Sequence, residues 1–246
     1  MKVIKLGGSI ITHKESYKKI NNDLLGKLCD VLSESKEEWI LIHGAGSFGH
    51  IMALKYGLEK PGSIKGKEKA ISKVVSDVLT LNSVITEYLN ERGINAISVP
   101  PHVIYNFGKP DFTAVKSLTD KGFVPVLFGD IIMNKGRYRI ISGDEIALDI
   151  SRVFKPESVA FITDVDGLFD SDPKTNKNAR FIPLIKARDV SVVDTGRDAT
   201  GSMAGKMKRI KKMMSYTSRV VVLNGKRPER LRNYLRGKES TSTVIE

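Results

Sequence analysis

The sequence predicts an α/β fold in which a parallel sheet is covered by helices on both faces. Two features carry this reading. Short, continuously apolar strands alternate with stretches of helical periodicity, and a polar loop rich in glycine or acid follows four of the strands. A strand buried on both faces reads as an unbroken apolar run, where a half-exposed one would alternate. "KVIKL" (2–6) is the first such run. Residues 22–33 then place Leu24, Leu25, Leu28, Val31 and Leu32 at helical spacing. "WILIH" (39–43) is the second strand. Residues 66–92 form a long helix with Ile71, Val74, Val75, Val78, Leu81, Ile85 and Leu89 on one side. Strands "NAISV" (95–99) and "FVPVLF" (123–128) follow, then a hairpin over 131–141 that turns at Asn134-Lys135-Gly136. A helix at 144–154, strand "SVAFIT" (158–163), a helix at 203–217, strand "RVVVLN" (219–224) and a helix at 228–235 complete the alternation. No repeat, low-complexity tract or linker interrupts it, so one domain with two lobes around a cleft is expected.

The 246 residues suit a single α/β domain, and an apolar content of 41% supports a core. No apolar run reaches the roughly twenty residues of a membrane span. The N-terminus, "MKVIKLGGSIIT", begins like a strand rather than a secretory signal. Cys29 is the one cysteine; it permits no intrachain disulfide and fits a reducing, cytoplasmic setting. One cysteine and four scattered histidines build no zinc cluster. The formal net charge of +12, from 40 Lys and Arg against 28 Asp and Glu, attracts polyanions or small anionic substrates. Positive charge is densest in "KMKRIKKMM" and "NGKRPERLRNYLRGK", which lack the interleaved aromatics of a single-strand-binding surface. The expected partner is a small anion, with no nucleic-acid or membrane partner.

Open parallel sheets bind ligands at the carboxyl ends of their strands. There lie "KLGGSIITHK" after the first strand, "HGAGSFGH" after the second, "FGDI" after 123–128 and "TDVDGLFDSDP" after 158–163. Neither glycine loop is a Walker A sequence. "GAGSFG" has the letters of a dinucleotide fingerprint, but it ends the second strand and lacks a well-placed acidic partner. Glycines that expose backbone N–H groups ahead of a helix suit any phosphate. Lys5 sits late in a buried strand and needs an anionic partner there; Lys14 and Lys206 can add charge. Phosphoryl transfer asks for positive groups around the moving group more than for covalent chemistry. Asp130, Asp144, Glu145, Asp164, Asp166, Asp170 and Asp172 could organise those lysines or hold Mg²⁺. Asp170 and Asp172, in "DSDP", read as turn residues, and Asp144 as a charge at a helix N-terminus. The second loop ends in His50. An alcohol acceptor would call for a general base, but a phosphate monoester, with its second pKa about 6, is ionised and is its own nucleophile. A histidine placed there can donate a hydrogen bond to such an acceptor.

In order, "IKLGGSIIT" with Lys14, "HGAGSFGH", "GD", "SGDE", "TDVDGLFDSDP" and "DATGSMAGK" resemble the amino acid kinase superfamily over essentially the whole chain. Within it the similarity is to the isopentenyl phosphate kinases. The resemblance implies a three-layer αβα sandwich with a mostly parallel central sheet of about eight strands. It implies one domain over 1–246, with an acceptor-binding lobe near 1–155 and a nucleotide-binding lobe near 156–246. ATP and Mg²⁺ would be the cofactors and isopentenyl phosphate the acceptor, in a step of the alternative mevalonate route, and the protein would be a homodimer. Lys5, Leu6, Gly7, Gly8 and Ser9 would hold the ATP phosphates, and Lys14 would stabilise the transition state. Gly46 would face the transferring group. Ala45 and His50 would hold the substrate phosphate, with Gly143 beside them. Asp164 would lie by the nucleotide, and Gly201 and Lys206 would close over the β- and γ-phosphates. No protein metal ligand is implied. Two positions depart from the pattern: Ala45 and Ser202 stand where glycine is usual. Ile71, Val74, Val75 and Val78 are the candidate wall for a prenyl tail. The competing readings are a kinase of the same fold acting on UMP or fosfomycin, and a basic RNA-binding protein supported by the +12 charge alone.

Overall fold

The computed structural model describes residues 1–105, 110–171, 173, 175–192 and 202–246. Strand β1 (Lys2–Leu6) leads through a single turn, α1 (Gly8–Ile11), into helix α2 (Asn22–Ser33) and strand β2 (Trp39–His43). Helix α3 (Gly46–Lys55), a two-residue strand β3 (Gly62–Ser63) and the long helix α4 (Glu68–Asn90) follow. Strand β4 (Ala96–Ser98), short helices α5 (Pro101–Ile104) and α6 (Thr113–Thr119), strand β5 (Val124–Phe128) and the hairpin β6 (Asp130–Asn134) and β7 (Arg137–Ile141) lead to helix α7 (Gly143–Phe154). The rest comprises β8 (Ser158–Thr163), the short β9 (Leu168–Phe169), β10 (Phe181–Ile182) and β11 (Leu184–Ile185), then α8 (Ser202–Met213), β12 (Arg219–Asn224), α9 (Pro228–Leu235) and β13 (Ser242–Ile245).

Eight strands form one sheet in the order β11-β13-β12-β8-β1-β2-β5-β4. Every pairing in it is parallel except β12 with β13. The αβα sandwich is therefore present, and it follows from side-chain alternation along the strands. Val3, Ile40, Ile42, Leu127, Val159, Phe161, Val220 and Val222 point to one face, where Ile146 and Ile150 of α7 and Met207 and Ile210 of α8 cover them. Ile4, Leu6, Leu41, Val126, Ala160, Ile162, Val221 and Leu223 point to the other, against α2, the C-terminal half of α4 and α9. A third apolar cluster lies under the β6–β7 hairpin. It joins Met52 and Ala53 of α3 to Ile71, Val74 and Val78 of α4 and to Phe128, Ile131 and Tyr138.

The hairpin turns on Lys135 and Gly136, with φ of 47° and 73°. Positive φ at both central residues is the type I′ geometry that matches strand twist. Two boundaries differ from expectation. The helix expected at 203–217 ends at Met213, and α4 is shorter at each end than 66–92. Gly93, at φ 76°, turns the chain out of α4.

Candidate active site

β1 and β2 are hydrogen-bonded neighbours, so the loops leaving their carboxyl ends meet. They meet closely enough to require glycine: a Cβ on Gly8 would lie 2.6 Å from the Gly46 nitrogen, and one on Gly44 would lie 2.6 Å from the Gly8 nitrogen. Gly46 also holds φ at 51°. The Thr12 hydroxyl ties the loops together, donating to the Gly8 carbonyl and accepting from the Ser47 amide, both at 2.9 Å. His43 closes the floor. It is fully buried, stacks on Phe128, and holds the Gly44 carbonyl through Nδ1 at 3.0 Å and the Asn82 amide through Nε2 at 3.1 Å. Burial pushes its pKa down to about 4, and the charge of Lys5 adds to the shift, against the Gly44 bond that raises it. It is thus a neutral ring that donates at Nδ1 and accepts at Nε2. The loop after β5 and the start of α7 join the same point: a Cβ on Gly129 would sit 3.5 Å from the Gly143 nitrogen, and one on Gly143 would sit 3.2 Å from Lys5 Cε.

The positive charges gather around one carboxylate. Lys5 is on the α7 face of β1, where its Nζ lies 3.0 Å from Asp144 Oδ1. Lys206 of α8 lies 3.8 Å from Asp144 Oδ2, with its ammonium 5.4 Å above the Phe161 ring. Asp144 stands in the first turn of α7, behind the Ser142 N-cap that accepts from the Glu145 amide. Burial alone would raise the Asp144 pKa, but Lys5, Lys206 and Arg209 together hold it down at about 2. Burial, and then the neighbouring Lys5, pull the Lys206 pKa below its ordinary value against Asp144 and Asp164. Two enclosed ammonium groups share Asp144, and the charge of Asp164 also reaches Lys206. Lys5 thus has a protein carboxylate as partner, and Asp144 is more than a helix-terminal charge.

His50 corrects the picture of a loop ending in histidine. α3 begins at Gly46, so His50 stands one turn into a helix. Gly49 accordingly serves helix packing rather than phosphate binding: its Cβ would lie 2.5 Å from Ala45 Cβ and 3.2 Å from Val78. His50 is exposed, yet enough atoms crowd its ring for desolvation to act on it. That desolvation, with the charges of Lys5 and Lys14, holds its pKa below the usual value. Lys14 is exposed and has no ion pair with a described residue. Ala45 packs on the third apolar cluster, so the expected wall of Ile71, Val74 and Val78 borders Ala45. Asp77 is an exception within that stripe, a buried carboxylate.

The remaining residues sort as follows. Gly7 donates to Ile162 O at 2.8 Å, Ser9 is exposed at the start of α1, and buried Leu6 accepts from Gly44. Asp130 organises no lysine; it is buried and bound to His102 Nδ1 at 2.6 Å. Asp166 is held by Asn224 and Arg230 at the ends of β8 and β12. Asp170 accepts from the Arg180 amide ten residues on, next to the β9–β10 pair, a cross-strand bond rather than the local "DSDP" turn contact expected of it. Gly201 and Asp172 lie outside the described residues. No group of three or more His, Cys, Asp or Glu among the described residues is placed to hold a metal. A groove of about 610 Å³ along α4, lined by Leu79, Asn82, Thr86, Asn90 and Ser98, contains none of the site residues. Thr12 and His43 were not singled out from the sequence; a histidine at the end of a fully apolar strand was the available signal for the second.

An eight-stranded αβα sandwich with paired glycine loops and a shared Lys–Asp–Lys cluster fits a small-molecule kinase. Residues 1–224 match the amino acid kinase family, and the chain belongs to it. The isopentenyl phosphate kinase of Thermoplasma acidophilum is 36% identical over 250 residues, spanning 100% of both chains. That of Methanothermobacter thermautotrophicus is 29% identical, covering 100% of this chain and 98% of its own. A crystal structure of an isopentenyl phosphate kinase substrate complex superposes with a TM-score of 0.88 at 33% identity over the full length of both chains. UMP kinase from Ureaplasma parvum, at a TM-score of 0.70 and 17% identity over 100% of this chain and 97% of its own, shares the fold.

Proposed function

We propose that the protein transfers the γ-phosphoryl group of ATP to isopentenyl phosphate, giving isopentenyl diphosphate and ADP. The observation that carries this is the place of His50 on α3, near enough to Lys5 and Lys14 for their charges to lower its pKa, on a helix whose Met52 and Ala53 and whose N-cap Ala45 pack in an apolar cluster. A charged headgroup and a short hydrocarbon tail would meet complementary surroundings there. The relatives at 36% and 29% identity are isopentenyl phosphate kinases, which supports the same acceptor here. The apolar wall gives no polar contacts for a nucleotide base, so UMP is disfavoured as acceptor.

In this reading the N–H groups of Gly8 and Ser9, with Lys5, Lys206 and Gly201, hold the ATP phosphates; Gly7, whose own N–H is held by Ile162 O, shapes the turn beside them, and Leu6 and Asp164 border the nucleotide. An acceptor oxygen, already ionised, attacks the γ-phosphorus in line. Lys14 neutralises charge on the transferring group and Gly46 lets it approach the backbone. His50 and the Ala45 amide orient the acceptor phosphate beside Gly143. Burial and the charges of Lys5 and Lys14 favour the neutral His50 ring, which donates one N–H, and a bound dianion would favour its protonated form. Asp144 keeps the two lysines in place and takes no proton. Mg²⁺ would arrive on ATP. Asp144 is taken up by two ammonium groups, so phosphate and water would supply most of the ion's ligands. We assign acceptor recognition to the lobe near 1–155 and nucleotide binding to that near 156–246, in a cytoplasmic homodimer.

The test is ADP release from Mg-ATP with isopentenyl phosphate, dimethylallyl phosphate, UMP, fosfomycin and N-acetylglutamate. Isopentenyl phosphate should be turned over far faster than the last three. His50→Ala should lose roughly 10²-fold or more in turnover while ATP binding, measured by calorimetry, stays within about threefold. Wild-type turnover in the variant would remove His50 from the mechanism.

A further inference from the structure

Lys14 has no described ion pair to hold it, and it sits on a loop rather than on a strand or long helix. A transition-state cation misplaced by about 1 Å loses much of its effect. What fixes that loop is therefore part of catalysis.

The loop is closed at its base by the Thr12–Ile20 bridge and by Asn21 N donating to Ile11 O at 2.9 Å. Within it, His13 N donates to Lys19 O at 2.9 Å and Ser16 N to His13 O at 3.1 Å. These bonds define its shape but leave its tip free to tilt as a unit. The tip is tied down from outside, by α4. The Tyr17 hydroxyl donates to Asp77 Oδ2 at 2.5 Å and Lys18 Nζ to Asp77 Oδ1 at 2.9 Å. Lys73, one turn earlier on α4, donates to the same Oδ1 at 2.6 Å and lies 5.5 Å above the Tyr17 ring. Lys18 also lies 5.8 Å above the Phe48 ring of α3, and it adopts φ of 56°, a conformation non-glycine residues avoid.

Asp77 is 1% exposed, in the middle of a helix face otherwise used for apolar packing. A carboxylate in that position is costly unless fully partnered, and two of its three partners come from the Lys14 loop. Helical periodicity alone would place an aliphatic side chain here. The same helix presents Val74 and Val78, within one turn of Asp77, to the apolar cluster beside Ala45.

From this we infer that Asp77 is a positioning residue for the phosphoryl transfer: by gripping Tyr17 and Lys18 it fixes the 12–20 loop on α4 and so sets Lys14 over the cleft. The role of Lys14 rests on the reaction proposed above; the anchoring of its loop does not.

The experiment separates the two. Turnover of isopentenyl phosphate is measured for wild type, Asp77→Asn, Lys14→Ala and the double variant, together with amide hydrogen exchange of residues 12–20. Asp77→Asn should lower kcat roughly tenfold with KM for ATP little changed, and should add less than about twofold in the Lys14→Ala background. Its loop amides, His13 and Lys19 among them, should exchange roughly tenfold faster, with α4 core amides unchanged. Tyr17→Phe, a substitution at a partly exposed ring, should move both readouts in the same direction by less, and it replaces Asp77→Asn if that variant does not fold. Equal losses in both backgrounds, or unchanged loop exchange, would overturn the inference. If wild type leaves isopentenyl phosphate untouched, the reaction is misassigned, and loop exchange still decides the anchor.

Discussion

His43 ends β2 with both ring nitrogens committed, one to Gly44 O and one to Asn82, under complete burial. The unfolded chain takes up a proton on this ring near pH 6.5, and the native chain not until about 4. Falling pH therefore favours the unfolded state across that interval, and the contribution is intact above it. The full effect is about 3 kcal/mol. His43→Gln, whose side chain does not titrate, should flatten the pH dependence of thermal stability between pH 6.5 and 4 relative to wild type; calorimetry over that range checks it, and parallel curves would refute it. Lys5 stood out in the sequence as a charge late in a buried strand, and Lys206 and His50 as polar residues that follow glycine-rich turns, at ends where an open sheet gathers ligands. Thr12, His43 and Asp77 were not. Their work is done on partners 35, 39 and about 60 positions away, across contacts that no local pattern encodes.

Among the elements, the strands and most long helices were legible because burial on two faces or one stripe writes a strong period. α3 was not: its mean composition, "GSFGHIMALK", lacks a one-sided apolar face, and its glycines read as loop. The structure shows why the second of them belongs in a helix. Gly49 lets α3 close on α4, and Ala45, one turn before it, already fills the adjacent space. Gly49→Ala should cost about 1–3 kcal/mol in urea unfolding through overpacking. It should raise KM for isopentenyl phosphate more than KM for ATP, because α3 carries both Ala45 and His50. Adding Ala45→Gly removes the 2.5 Å contact and leaves the 3.2 Å approach to Val78, so the double variant should recover part of the loss. No recovery would place the strain elsewhere.

For the whole molecule, the sheet's two halves meet at β1, whose neighbours β2 and β8 bring the second glycine loop and the "TDVDG" turn to the carboxyl end where the first glycine loop lies. That arrangement was legible as an alternation of strands and helices, while the far edge was not. "STVI" is short and half polar, yet as β13 it bridges β12 and β11. Part of the basic C-terminal region is likewise structural, since Arg232 and Arg236 both grip Glu34 at the end of α2. Thr243, fully buried in β13, accepts from Leu168 N at 2.7 Å and donates to Ile182 O at 2.5 Å. It thereby fastens the β9–β10 hairpin, which continues the "TDVDG" turn, to the sheet. A Cβ on Gly167 would come within 2.9 Å of the Thr243 nitrogen, so the turn already lies flush against the strand. Thr243→Val keeps the shape but leaves the Leu168 amide without its side-chain acceptor in a buried place, at a cost of about 1–3 kcal/mol. With the nucleotide assigned, as proposed above, to the lobe near 156–246, releasing the hairpin should raise KM for ATP severalfold while KM for the acceptor holds. Thr243→Ser, which keeps the hydroxyl, should stay near wild type on both measures. If valine leaves stability and KM for ATP unchanged, the hairpin is held by its own strand pairing and the C-terminal strand has no part in nucleotide binding.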